Sequence, residues 1–230
     1  MKSFVHFAFF LMWAQVSFSQ EIPTKDIDSL YKEDQFYAGI TYNLIGSKPI
    51  GLSQNGFSFG FHFGFIKDMP INKKRNLALG IGLGYSANSF NQNLLVNKDN
   101  VGEINYSILE DATTYTKNKF SEHLVEVPFE FRWRDSSPTE YNFWRIYTGF
   151  KIGYVFASKT KYIGDLGNLK YSGISDFNEI QYGLTLAIGY NTWNFYVYYA
   201  LNPLFKSNAK LEGQSIDMKA IKIGLMFYVL

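Results

Sequence analysis

Apolar and polar residues alternate along most of the chain, a pattern typical of β-strands whose two faces meet different surroundings. The clearest example is residues 56–66, where phenylalanine fills every second position from Phe57 to Phe65. A soluble protein seldom offers so many large aromatic side chains to water on one strand face. The alternation predicts eight strands, at residues 36–45, 56–66, 77–90, 122–134, 143–156, 179–190, 194–201 and 221–230. Because no segment has a convincing helical period, the chain is predicted to be all-β.

The connections between these strands alternate between long and short from the third one onward. In chain order they contain about 10, 10, 30, 8, 21, 3 and 16 residues. Outer-membrane barrels have long extracellular loops, short periplasmic turns and an even number of strands. Residues 35–230 are therefore predicted to form an eight-stranded antiparallel up-and-down transmembrane β-barrel. Residues 91–120 would lie outside the cell and residues 135–142 in the periplasm.

The aromatic residues at the strand ends support a membrane barrel over a soluble β-sandwich, which also alternates. Rings with a polar edge collect at the two membrane-water boundaries. The predicted girdle comprises Trp133, Trp144 and Trp193 at the short connections, with Tyr85 and Tyr154 at the long ones. A sandwich does not explain aromatic bands at both ends together with polar residues on the opposite face.

The first residues are typical of a secretory signal peptide. A positive start is followed by an apolar stretch from Phe4 to Val16 and by Ser17-Phe18-Ser19, which resembles a cleavage site. We expect cleavage after Ser19, residues 20–34 in the periplasm, and a barrel in the outer membrane of a Gram-negative cell. An uncleaved anchor helix is the alternative.

Strand residues opposite the apolar face would point into a lumen that is just wide enough for side chains. Frequent glycines on this face leave room for charged residues of both signs. The predicted lumen network consists of Glu126, Glu130, Arg132, Arg134, Arg145, Lys151 and Glu179. It would act either as a structural plug or as a proton path or narrow ion channel.

The composition limits the chemistry that the chain can perform. It has no cysteine, so disulfides and thiolate sites are excluded, and its net charge of +2 gives no electrostatic basis for binding nucleic acid. After signal cleavage only His62 and His123 remain for imidazole chemistry. No residues have the spacing of a catalytic motif. We therefore expect no enzymatic activity, no cofactor and no metal.

Three stretches of the chain resemble the PorT family of the type IX secretion system. They are EDQFYAGITYNLI (33–45), the segment from QNGFSFGFHFGF to FNQNL (54–94), and the segment from EHLVEVPFEFRWR to GFKIGYVF (122–156). The resemblance implies an outer-membrane barrel needed to export proteins with a C-terminal secretion signal, and for gliding motility where that occurs. It implies other secretion-machinery proteins as partners besides the membrane lipid, and it identifies no catalytic or ligand residues.

The C-terminal KIGLMFYVL resembles the signal read by the barrel-assembly machinery, with Lys222 and Gly224 opposite Phe227 and Val229 in the alternation. Two other functions remain open at this stage. One is a generic small outer-membrane barrel whose loops bind an external ligand or surface. The other is a barrel enzyme that modifies lipids.

Overall fold

The structure, a computed structural model, describes residues 34–229 except residues 100, 111 and 136–142. The predicted signal peptide and nearly all of the segment 20–34 lie outside the described residues. The described residues contain no helix long and apolar enough to cross a membrane. Their strands are, in chain order, β1 (Gln35–Gly46), β2 (Phe59–Pro70), β3 (Leu77–Asn91), β4 (Leu94–Lys98), β5 (Ile104–Ile108), β6 (Tyr115–Arg134), β7 (Trp144–Gly164), β8 (Gly167–Ser172), β9 (Ile180–Tyr190), β10 (Trp193–Ala200), β11 (Lys210–Leu211), β12 (Gln214–Ser215) and β13 (Lys219–Val229).

Eight of these strands form a closed antiparallel barrel, which confirms the predicted fold class. Each barrel strand pairs with the next one along the chain, and β1 pairs with β13 to close the ring. The barrel strands are β1, β2, β3, β6, β7, β9, β10 and β13. A short strand, β8, extends the sheet beside β7, while β4–β5 and β11–β12 are small hairpins within connections.

The connections alternate around the whole barrel, including the first two, whose predicted lengths were equal. Residues 71–76 and 191–192 make short turns at one end, which we call the short-turn end, and β6 ends and β7 begins at this same end. Residues 47–58, 92–114, 165–179 and 201–218 connect strands at the opposite, long-loop end. The first barrel strand, β1, begins at the short-turn end, and the last one, β13, ends there. The predicted alternation thus extends from the third connection to all of them.

The stagger between strands sets the tilt and the width of the barrel. Paired residues lead once around the ring from Leu77 through Trp133, Ile146, Ile188, Phe195, Leu225, Ile40 and Phe61 to Ala87. The path returns to β3 ten residues beyond its start. With about 3.3 Å per residue and about 4.8 Å between strands, this stagger corresponds to a tilt of about 40°. Such a barrel is narrow enough for side chains to fill its interior.

The two faces of the strands divide as the alternation predicts. The phenylalanines of β2 and Phe57 just before it are exposed on the outside, whereas His62 between them is fully buried. On β9 the exposed and buried classes alternate without interruption from Ile180 to Tyr190. The barrel therefore carries a continuous apolar outer surface and a polar interior, the reverse of a water-soluble protein.

The two longest strands extend well beyond their predicted ends at the long-loop end. β6 begins at Tyr115 where the alternation predicts Glu122, and β7 continues to Gly164 where it predicts Phe156. The pairing between them shifts by one residue beside His123 and again near Tyr115. These bulges interrupt the strict period of two, so the alternation does not predict that either strand continues beyond them.

The long connections fold back over the mouth of the barrel and bury an aromatic cluster, which we call the loop cap. Phe90 and Phe120 come from barrel strands, and Phe177 and Phe205 come from two different loops. Ring centroids are 4.9 Å apart for Phe90 and Phe120 and 4.5 Å apart for Phe177 and Phe205. All four side chains are at most 2% exposed. The loop cap is a second apolar core, separate from the outer surface.

Candidate functional site

The barrel interior holds the polar side chains that could carry a function. Glycines on the inner face make space for them where two strands approach. A Cβ atom at Gly80 would lie 2.9 Å from Nε of Arg132, and one at Gly64 would lie 2.6 Å from the Tyr37 hydroxyl. Both distances are shorter than real Cβ contacts. The small residues of the inner face are thus matched to large ones beside them.

A first charged cluster fills the interior near the short-turn end. The carboxylate of Asp68 accepts two hydrogen bonds from Arg134, each of 2.9 Å, and one of 3.2 Å from Arg132. Arg132 also donates through Nε to Glu130 at 3.0 Å. The two arginines and Asp68 are fully buried. Paired, hydrogen-bonded charges of this kind are the form in which a protein interior tolerates ions.

A second charged cluster lies further along the lumen. Lys151 donates to Oε2 of Glu126 at 3.0 Å, while Ser86 donates to Oε1 at 2.8 Å. His62 places Nδ1 3.8 Å from Glu126 and Nε2 3.0 Å from the Thr41 hydroxyl. The Thr41 hydroxyl also donates to Oδ1 of Asn43 at 2.9 Å. The cluster is therefore a connected polar network that includes His62.

Two further groups continue the interior toward the long-loop end. Glu122 accepts a hydrogen bond of 2.9 Å from Gln181, and the ammonium of Lys222 lies 4.9 Å from the centre of the Tyr198 ring. All of these side chains are at most 5% exposed. Polar and charged groups thus continue along the lumen up to the loop cap.

The structure brings together most but not all of the predicted network. Glu126, Glu130, Arg132, Arg134 and Lys151 are buried in the two clusters.

Arg145 is also buried in the lumen but pairs with no carboxylate in the described part of the chain; its guanidinium lies 4.6 Å from the Phe143 ring. The prediction that Glu179 belongs to the lumen is wrong. Its side chain is 63% exposed and meets Lys206 at 3.4 Å, because it precedes β9 in a loop where the strand alternation does not hold.

Sequence reasoning missed Asp68 and Lys222 as lumen charges. The alternation of strand two ends at Ile66 in the prediction, yet β2 runs to Pro70 and places Asp68 on the inner face. Continuing the period of two from His62 would have found it. Lys222 and Gly224 lie on one face of the last strand, and the same parity would have marked Lys222 as internal.

The two histidines have different surroundings and do not form a joint site. His62 is internal, whereas Nδ1 of His123 lies 2.6 Å from the Tyr85 hydroxyl on the outer surface. Within the described ranges no three His, Cys, Asp or Glu side chains group in a way that could hold a metal ion.

The predicted girdle residues lie at the two ends of the apolar outer surface. Trp133, Trp144 and Trp193 are exposed near the short-turn end. Tyr154 lies ten residues along β7 from Trp144, which corresponds to about 33 Å of strand and, at a tilt of about 40°, to about 25 Å along the barrel axis. The apolar band of outer-membrane barrels is also about 25 Å tall.

Residues 13–206 match the family described as outer membrane protein beta-barrel domain. The chain belongs to this family. It is an outer-membrane β-barrel protein, and its apolar outer surface faces lipid. No curated protein matches it in sequence.

Two solved structures that this outer-membrane barrel resembles are of Ail, the attachment invasion locus protein of Yersinia pestis. One is 14% identical, covers 86% of this chain and 99% of Ail, and has a TM-score of 0.36. The other, in complex with the heparin analogue sucrose octasulfate, is 12% identical, covers 85% and 98% of the two chains, and has a TM-score of 0.35.

Proposed function

We propose that this outer-membrane barrel is a non-enzymatic accessory component of the type IX protein secretion machinery, serving gliding motility where that occurs. The assignment to this machinery is supported by the PorT-like stretches, which form β1, β2, β3 and most of the β6–β7 pair. The accessory role is supported by one observation, the filled interior. A lumen occupied by ion pairs and covered by the loop cap has no room for a protein chain, so translocation belongs to a larger partner.

The proposal includes the route to the membrane and the partners there. Residues 1–19 are removed as a signal peptide, residues 20–34 remain in the periplasm, and the barrel-assembly machinery inserts the strands. The last strand, from Lys219 to Val229, ends in a sequence that resembles that machinery's signal and supports this route. Other secretion-machinery proteins contact the loops, the turns or the N-terminal segment, and no nucleic acid takes part.

Deleting the gene should abolish release of proteins that carry the C-terminal secretion signal, and re-expressing the intact chain should restore it. The measurement is the amount of such proteins in the medium and in the periplasm. Periplasmic accumulation in the deletion strain is expected. Unchanged secretion, with the barrel absent from the membrane, would contradict the type IX assignment.

The purified barrel should show little or no steady ionic current in a planar lipid bilayer. The reason is that Asp68 is paired with Arg134 and Glu126 with Lys151. Their charges are therefore neutralised inside the lumen and do not attract mobile ions. Conductance is measured at several voltages, and the folded state is checked by its shifted mobility on an unheated gel. Large ion-selective currents from the folded wild type would favour the channel and exclude the plug.

An epitope inserted beside Asn97 in the β4–β5 hairpin should be labelled on intact cells, because the long loops are expected outside. One inserted beside Lys73, in the turn between β2 and β3, should be labelled only after the outer membrane is broken. Labelling in the opposite order would reverse the proposed orientation while leaving the fold unchanged.

A second candidate function, binding of an external ligand or surface by the loops, is favoured by the ordered loop cap. Tyr106 illustrates this order, since its hydroxyl donates to Asp176 at 2.9 Å and burial, together with that carboxylate, raises the pKa of Tyr106. Removing the β4–β5 hairpin alone should then abolish attachment to the external surface while secretion continues. Loss of secretion would favour the type IX role.

A further inference from the structure

A lysine-rich surface covers the outward face of the sheet just beyond the lipid-facing band at the long-loop end. β6, β7 and β8 extend past the girdle there, and β7 pairs with β6 on one side and with β8 on the other. We call it the lysine face, and its members are Lys117, Lys119, Lys159, Lys161 and Lys170. They alternate with inward residues such as Asn118, Thr160 and Tyr162, which are buried. The lysine side chains therefore point outward, on the same face as the lipid-exposed residues below them.

The register places several of these like charges directly side by side. Lys119 pairs with Lys161, and Lys161 pairs with Lys170, so three ammonium groups stand in a row across three strands. Side chains directly opposite each other have Cβ atoms about 5 Å apart, and like charges at that spacing are destabilising. Partial burial and then the neighbouring lysines lower the pKa of Lys119. Lys170 in particular lowers the pKa of Lys159.

Among the described residues, no carboxylate is paired with these lysines. The neighbouring outward positions hold neutral donors, among them Ser121 and Ser172. Lys119 itself donates to the Ser89 hydroxyl at 3.3 Å. A concentration of cations with hydroxyl donors is matched by a ligand that carries several negative oxygen atoms.

The height of the lysine face indicates which anion this is. Lys159 lies three residues beyond Phe156, an outward aromatic residue of β7, which is about 10 Å along the strand and about 8 Å along the barrel axis. The headgroup layer extends about 5–7 Å beyond the hydrocarbon on each side. A lysine side chain from this level reaches the headgroups and not the bilayer core.

We propose that the lysine face binds the phosphate groups of the phosphorylated glycolipid that surrounds the barrel in the outer leaflet. The inference rests on the orientation given under the proposed function, with the long loops outside. It adds a ligand that the secretion role does not require. Phosphate binding relieves the repulsion within the row and fixes the barrel to its neighbouring lipids.

The test uses the full chain in detergent at low ionic strength, where screening is weak. The probe is a fluorescent acylated glucosamine disaccharide carrying two phosphates, compared with the same glycolipid without phosphates. The triple variant K119Q, K161Q and K170Q should bind the phosphorylated probe at least about tenfold more weakly than the wild type, since each surface lysine adds appreciable attraction to anionic lipid. The matched control K48Q, K73Q and K74Q, which removes the same charge from loop and turn positions, should bind as the wild type does.

Retention of charge provides the second arm. The variant K119R, K161R and K170R should keep most of the affinity, and all variants should retain the gel mobility of the folded barrel. The glutamine variant should fold at least as readily as the wild type because it removes repulsion. Equal binding by wild type and glutamine variant would overturn the proposal.

Two further results separate the ligand source and the orientation. If soluble heparin binds and the phosphorylated glycolipid does not, the face receives a soluble polyanion and the lipid proposal is overturned. If the wild-type barrel does not bind the phosphorylated glycolipid while the β4–β5 hairpin is labelled on intact cells, this inference alone is refuted. Reversed labelling would instead refute the orientation, and with it the outer leaflet as the source of the phosphates.

Discussion

Asp68→Ala should lower the free energy of unfolding of the barrel by about 3–5 kcal/mol, the loss expected when one member of a buried ion cluster is removed. Asp68 accepts three hydrogen bonds from Arg132 and Arg134, and all three side chains are fully buried. Without the carboxylate, two guanidinium groups remain in the interior with less charge to balance them. The measurement is urea unfolding in lipid vesicles, followed by the gel mobility of the folded form.

Glu179→Ala is the matched control for the loss of a paired carboxylate. Its partner Lys206 is 3.4 Å away and both side chains are well exposed, so the expected change is about 0–1 kcal/mol. The variant Asp68→Asn tests the charge separately from the shape, and should fall between the wild type and alanine. Equal unfolding curves for Asp68→Ala and Glu179→Ala would show that water fills and solvates the interior.

Phe65→Arg should destabilise the membrane-inserted barrel by about 2–4 kcal/mol, the cost of an arginine near the bilayer midplane. Phe65 lies within β2 on the outer face and pairs with Phe36 and Leu83. Phe57→Arg offers a control with the same substitution. Phe57 precedes β2 at the long-loop end and is 70% exposed, and the cost near the interface falls to about 0–1 kcal/mol.

Both arginine variants are compared by the fraction of folded barrel in vesicles and by urea unfolding. The control variant also loses two ring contacts of Phe57, with Tyr42 and Phe59, whose centroids lie 5.6 and 6.1 Å away. Its small expected effect includes the loss of these contacts. Equal tolerance of arginine at both positions would mean that Phe65 does not face hydrocarbon.

The alternation predicted the barrel and the face of nearly every strand because a period of two is a local property. A residue such as Phe63 reveals its side of the sheet through its immediate neighbours. The same parity places Glu126 and Lys151 inside. Strand pairing across the short connections could also be predicted from the sequence. A two-residue turn such as residues 191–192 can join two strands only if they are antiparallel neighbours.

The pairing of lumen charges could not be predicted in this way, because partners depend on the stagger of the whole ring. Arg145 and Arg134 are both internal and pair in register, yet Asp68, on a distant part of the sequence, is the carboxylate that Arg134 meets. Glu179 was misplaced because the alternation of β9 was extended to the residue before its first one, Ile180. The loop cap was missed since loops have no period, and Phe177 and Phe205 meet only in three dimensions.

The pairing of β1 with β13 has a consequence for the order of folding. Phe36 pairs in register with Val229 across the closing seam, so nearly the whole barrel sequence lies between two neighbouring strands. That contact cannot form until synthesis is complete, and contacts between such remote residues make folding slow. Until the seam closes, β1 and β13 are edge strands with unpaired backbone groups, and the lumen charges face an open sheet. Closure of the ring, and with it the enclosure of the lumen charges, is therefore the last event in the folding of this barrel.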